Sequence, residues 1–169
     1  YDSGPVSNGT VLGFQQVHYD NTPSPLRNAG SLINAGKNIL KDISTASYNT
    51  IIGTEAGYSL DTGSRNVLIG SVSAIGENAP GWNLSNGDDN IILGVNTGSN
   101  ATSAINNVMI GSNVGSSITS AGNNVLIGKD TATALTTAGQ SVIIGAGAGE
   151  STTVGNALII GYNAGIKNT

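Results

Sequence analysis

The stretch Asn49-Thr-Ile-Ile-Gly-Thr-Glu-Ala-Gly-Tyr-Ser-Leu-Asp-Thr-Gly-Ser-Arg-Asn-Val-Leu-Ile-Gly70 decides the fold. It begins and ends on the same five-residue core: an Asn, three residues mostly apolar and β-branched, and a Gly. The core returns at Asn90-Ile-Ile-Leu-Gly94, Asn107-Val-Met-Ile-Gly111 and Asn124-Val-Leu-Ile-Gly128, and without its Asn at Ser141-Val-Ile-Ile-Gly145 and Ala157-Leu-Ile-Ile-Gly161. The closing glycines Gly53, Gly70, Gly94, Gly111, Gly128, Gly145 and Gly161 follow one another at 17 residues, except for one step of 24 and a last step of 16. A second small-residue station follows each, as in Thr54-Glu-Ala-Gly57, Ser112-Asn-Val-Gly115 and Tyr162-Asn-Ala-Gly165, and an isolated apolar residue recurs at Leu60, Ile118 and Leu135. Self-similarity at a fixed short period marks a solenoid.

The residue types say which solenoid. Three consecutive apolar residues between Asn and Gly read as a short strand bounded by turn formers. Seventeen residues are too few for a helix pair, and the rest of each repeat is Gly, Ser, Thr and Asn. The expectation is an all-β chain of about seven coils, a parallel β-helix or β-roll, with coils about 4.8 Å apart in a rod roughly 34 Å long. Stacked Asn side chains can form a hydrogen-bonded ladder, and Asn and Gly accept the positive φ that tight corners need. Such a stack is cooperative along its axis, because each coil is stable only against its neighbours.

Strand side chains alternate between faces. Putting the first and third apolar residues inside, such as Val67 with Ile69, Val108 with Ile110 and Val125 with Ile127, leaves the second position outside. On that assignment Ile51, Leu68, Ile92, Met109, Leu126, Ile143 and Ile159 form an outward apolar column and are the candidate trimer interface, because large exposed apolar patches mark interfaces. Cyclic symmetry closes such a rod, and three chains around an axis is the natural count.

Composition narrows the function classes. Gly, Asn, Ser and Thr supply nearly half of the 169 residues, only 9% are charged, and the net charge is −4. Six scattered basic residues give no electrostatic grip on nucleic acid. No apolar run approaches the ~20 residues of a membrane-spanning helix, so no membrane insertion is expected. The absence of Cys and the single His18 remove thiolate chemistry and any site needing two imidazoles. No metal, cofactor or catalytic residue is expected. The glycines of Gly145-Ala-Gly-Ala-Gly149 fall on the repeat stations and lack the strand–helix frame of a dinucleotide loop. Thr131-Ala-Thr133 does not recur in every coil, as an ice-binding array would require.

Residues 1–45 lack the period and read as a connector with a capping segment, in which Asn38-Ile-Leu-Lys-Asp42 resembles a decayed coil. The chain opens at Tyr1 with neither Met nor a leader, which reads as an excised segment. Residues 46–169 are the repetitive solenoid. Its 24-residue step hides seven extra residues, expected as an inserted loop within 71–89. That segment holds the only Trp and the densest acids, so Trp82, Asn83, Asn86, Asp88 and Asp89 are the ligand-contact candidates: an aromatic ring among amides and carboxylates suits a sugar face. A role for Trp82 in pinning the loop to the rod stands beside that reading. Asn8-Gly-Thr10, Asn83-Leu-Ser85 and Asn100-Ala-Thr102 match the N-glycosylation pattern.

The run from Asn49 to Gly70 resembles the Gly/Asn repeats of bacteriophage tail-fibre and tailspike proteins, over roughly residues 46–169. The core is also similar to the Asn-Ser-Val-Ala-Ile-Gly repeat in the head domains of trimeric autotransporter adhesins, whose coils are shorter and carry Ala at the second apolar position. The resemblance implies a left-handed coil packed or intertwined as a homotrimer, and a non-enzymatic structural and receptor-recognition segment of a virion's tail fibre. Its partner would be a bacterial cell-surface polysaccharide or protein receptor. The alternative is an adhesin head on the bacterial outer-membrane surface, binding host matrix. The shared core is wholly structural and carries over no catalytic or binding residue.

Overall fold

A computed structural model describes residues 33–36, 44–72 and 77–166. Each repeat core is one three-residue strand, in chain order β1 (Ile33–Ala35), β2 (Thr50–Ile52), β3 (Val67–Ile69), β4 (Ile91–Leu93), β5 (Val108–Ile110), β6 (Val125–Ile127), β7 (Val142–Ile144) and β8 (Leu158–Ile160). They form one parallel sheet in sequence order, with the same core position paired in every coil: Ile51 with Leu68, Leu68 with Ile92, Ile92 with Met109. The chain is a β-solenoid. Among the described residues the stack begins one coil before the first Asn-bounded core, because β1 pairs in register with β2, and Asn34 stands at the register position of Ile51. The solenoid thus reaches into the segment read as a connector; Asn38–Asp42 and His18 lie outside the described residues.

The alternation of faces is the reverse of the expected one. Ile51, Leu68, Ile92, Met109, Leu126 and Ile143 are fully buried inside the coil, and Ile159 packs half-buried against the same core. The first and third strand residues point outward. These second-position residues are therefore the core and not an interface between chains. Beside them run the buried column Leu60, Leu84, Ala101, Ile118 and Leu135 and a column of small residues that includes Ala46, Ala104 and Ala121.

The residue before each strand explains the parity. Asn49, Asn66, Asn90, Asn107 and Asn124 are buried, so the residue two positions on must share their face. From Asn66 to Asn124 each of these side chains bonds to the coils on both sides. The Asn66 amide donates to Asn49 Oδ1 at 3.1 Å and to the Gly87 carbonyl at 2.7 Å. Asn66 Oδ1 in turn accepts the backbone N–H of Asn90 at 2.9 Å and its side-chain amide at 3.0 Å. Asn107 and Asn124 repeat the arrangement, the latter reaching Ala138. A primary amide has two donors and an oxygen with two lone pairs, and at Asn66, Asn90 and Asn107 every one is used.

Corners close each coil. The residue before each ladder position holds a left-handed backbone, with φ near 60° at Tyr48, Arg65, Asp89, Asn106, Asn123, Gln140 and Asn156. The strand-closing glycine serves close approach as well as conformation. A Cβ at Gly53 or Gly94 would overlap the carbonyl oxygen of Gly70 or Gly111 in the next coil. Both glycines also hold φ above 110°.

Asn107→Ala should strand the buried Asn124 N–H and the Ala121 carbonyl together. Each such group costs about 1–3 kcal/mol, so we expect a loss of roughly 3 kcal/mol or more, read as a lower urea midpoint. Asn106→Ala, at the exposed neighbouring corner, should cost far less; equal losses would contradict the ladder's role.

Candidate functional site

The candidates Trp82, Asn83, Asn86, Asp88 and Asp89 do not sit on the inserted segment. The Asn96 N–H donates to the Asn78 carbonyl as Asn113 does to Val95 and Asp130 to Ser112, so Asn78 already occupies a regular station. The seven extra residues are 71–77, between Gly70 and Asn78. From Gly81 onward the coil is regular, with Gly81 N–H bonded to Thr97 and Asn83 N–H to Ser99.

Regular stations put like positions on top of one another, and each candidate meets a partner in the neighbouring coil. Trp82 lies over Tyr58, ring centroids 4.4 Å apart and planes 4° from parallel, a separation close to the rise of one coil. This is the pinning role weighed beside ligand contact, exerted between coils rather than on a loop. Asn83 donates to Asn100 Oδ1 at 3.4 Å, and Asn86 Oδ1 accepts from Thr62 at 3.3 Å and from Ser85 at 2.7 Å. Asp88 accepts the Ser64 N–H at 2.7 Å, at a station where Ser64 itself accepts the Ser47 N–H.

Asp89 and Arg65 occupy the same left-handed corner in successive coils, and the guanidinium grips the carboxylate through two bonds of 2.6 and 2.7 Å. This hydrogen bonding holds the Asp89 carboxyl below the usual carboxylate range and raises Arg65. Asp130 is also lowered, chiefly by the bond from the Asn113 amide. Thr131 and Thr133 turn their hydroxyls to backbone carbonyls of Gly145 and Glu150. Among the described residues, no group of three or more His, Cys, Asp or Glu is placed to share a metal ion, and no helix is long and apolar enough to cross a membrane.

What remains without a described partner is the outer face of the sheet. Val67, Ile91, Val108, Val125, Val142 and Leu158 form one outward column; Ile52, Ile69, Leu93, Ile110, Ile127, Ile144 and Ile160 form the other. Thr50 is the single polar residue in the two columns from β2 to β8. Eight of these apolar residues are half-buried, and the five exposed ones run from 37% at Ile69 to 74% at Leu158. The sequence pattern held this strip all along, but the opposite parity had hidden it in the interior. A comparison with protein-family profiles, curated protein sequences and solved structures finds no match for this chain.

The two lowered aspartates set a pH expectation. Their contribution to stability is present above the ordinary aspartate range and is lost as pH falls through the lowered folded values. The melting temperature should drop on that acid limb, and Asp89→Asn should flatten part of it. Trp82→Ala should lower stability by roughly 1–3 kcal/mol through the lost ring stack and burial.

Proposed function

We propose that this chain is a non-enzymatic structural and receptor-recognition segment of a homotrimeric bacteriophage tail fibre, attaching to a bacterial cell-surface polysaccharide or protein. The resemblance of the repeat supports the fibre. The observation that carries self-association is the outward double column: a continuous apolar strip on a parallel sheet, roughly 29 Å long for the seven strands β2–β8 at the standard spacing. Strips of this kind on soluble proteins mark interaction sites. Copies of one rod aligned in the same direction bring equivalent residues to a common axis, which closed cyclic symmetry satisfies. A fibre needs that polarity, because every chain must present the same end to the host.

This reading keeps the trimer and moves its interface. Ile127→Asp should put a charge on the strip and leave the coil interior intact, giving a folded monomer. Leu126→Asp should bury an unpaired charge among the core columns and prevent folding whatever the state of association. Sedimentation together with far-ultraviolet circular dichroism separates the two. A wild-type chain that stays monomeric at micromolar concentration would overturn the assembly.

A further inference from the structure

The corner two residues past Gly94, Gly111 and Gly128 forms a second, exterior ladder. Asn96 donates to Asn113 Oδ1 at 2.8 Å, and Asn113 donates to Asp130 Oδ1 at 2.8 Å. One coil further the station is Gly147, which has no side chain, and beyond it stands Asn163. All share a left-handed backbone, φ 55° at Asn96, 60° at Asn113, 55° at Asp130, 68° at Gly147 and 51° at Asn163. The missing rung opens a notch of about 340 Å³, at the small end of the ~300–1,000 Å³ usual for ligand sites. Its floor is Ala146 and Gly147, and Asp130, Glu150, Tyr162 and Asn163 stand around it.

We propose that this notch binds a pyranose sugar. The Tyr162 ring is 81% exposed, a surface on which the apolar C–H face of a sugar can rest. Among the described residues, the Glu150 carboxylate, the Asn163 amide and the Tyr162 hydroxyl form no hydrogen bond within the protein. Together they offer acceptors and donors at the spacing of a rod's rungs, which suits hydroxyl groups that both donate and accept. The carboxylates of Asp130 and Glu150 disfavour an anion, since the one cation at the rim, Lys129, already lies 3.3 Å from Asp130. A purely apolar ligand would leave these polar groups unpaired. The site differs from the one expected around Trp82, whose candidates are taken up by contacts between coils. It rests on the recognition half of the fibre reading and is independent of the trimer.

The test is an amide-resolved NMR titration with methyl glycosides of glucose, galactose, mannose, rhamnose and N-acetylglucosamine at millimolar concentration. At least one should shift the resonances of Ala146, Gly147, Glu150 and Tyr162. Gly147→Asn should supply the missing rung. Asn holds the same φ at positions 96, 113 and 163, and the atom its Cβ would meet is the movable end of the Asn163 side chain. That variant should melt no lower than wild type and lose at least tenfold in sugar affinity, and Tyr162→Ala should lose binding similarly. No shift with any glycoside, shifts that both variants retain, or a response to Ca²⁺ alone would overturn the site. Failure here with intact assembly and attachment to cells would remove this site and leave the fibre reading standing; sugar binding by a chain that never assembles would do the reverse.

Discussion

A carboxamide buried in a rod one strand wide can be satisfied in few ways, and the rest of this structure follows from the way chosen. Each ladder Asn needs two acceptors and two donors. The neighbouring coils supply them only if an identical Asn lies directly over the last and a corner carbonyl arrives three residues before it, as the Gly63 carbonyl does for Asn49 at 2.9 Å. A coil one residue out of register would leave several buried polar groups unpaired, at about 1–3 kcal/mol each. The ladder therefore fixes the register that the apolar residues alone would leave loose. It also allows an insertion of seven residues between Gly70 and Asn78, because that segment rejoins the regular path before the next ladder station.

The ladder changes chemistry in the coils of β7 and β8. Ser141 keeps the backbone bond to Asn124 Oδ1 at 3.0 Å, and its hydroxyl accepts the Ala157 N–H at 3.2 Å. A hydroxyl has one donor where an amide has two, and Ala157 has no side-chain polar group at all. β7 keeps the burial of β5 and β6, with Ile143 fully buried, while β8, the last strand of the sheet, leaves Leu158 at 74% and Ile160 at 63%. Stability in a stacked array comes from nearest-neighbour interfaces, so weaker rungs and thinner burial occur together at that end.

The period, the strand residues, the Asn ladder and the corners that need positive φ were all legible in the sequence, since each is a local preference repeated at a fixed interval. The parity was legible too, but only by joining two features. Asn66 inside forces Leu68 inside, whereas three apolar residues judged by themselves favour the face that buries two of them. β1 was hidden because Leu32-Ile-Asn-Ala-Gly36 has neither the leading Asn nor the apolar triad. The Trp82 group was misplaced because a 24-residue step shows the size of an insertion and not its position; the bonds from Asn96 to Asn78 and from Gly81 to Thr97 locate it.

The same stacking logic governs where such a rod can carry function. Identical stations lie one coil apart, so a polar or aromatic side chain meets its own counterpart first: Trp82 meets Tyr58, Asp89 meets Arg65, Asn96 meets Asn113. An unusual residue in the sequence is thus poor guidance to a ligand, because the neighbouring coil has already engaged it. Side chains become available where a column is interrupted, as at Gly147, or where a column faces outward with nothing beyond it, as on the β2–β8 strip. In the first case the interruption leaves Asn163 without the rung that Asn96 and Asn113 find in the neighbouring coil. In the second, outward alternation places Val, Leu and Ile on a face with no described partner, and apolar strips of this kind are where interfaces form.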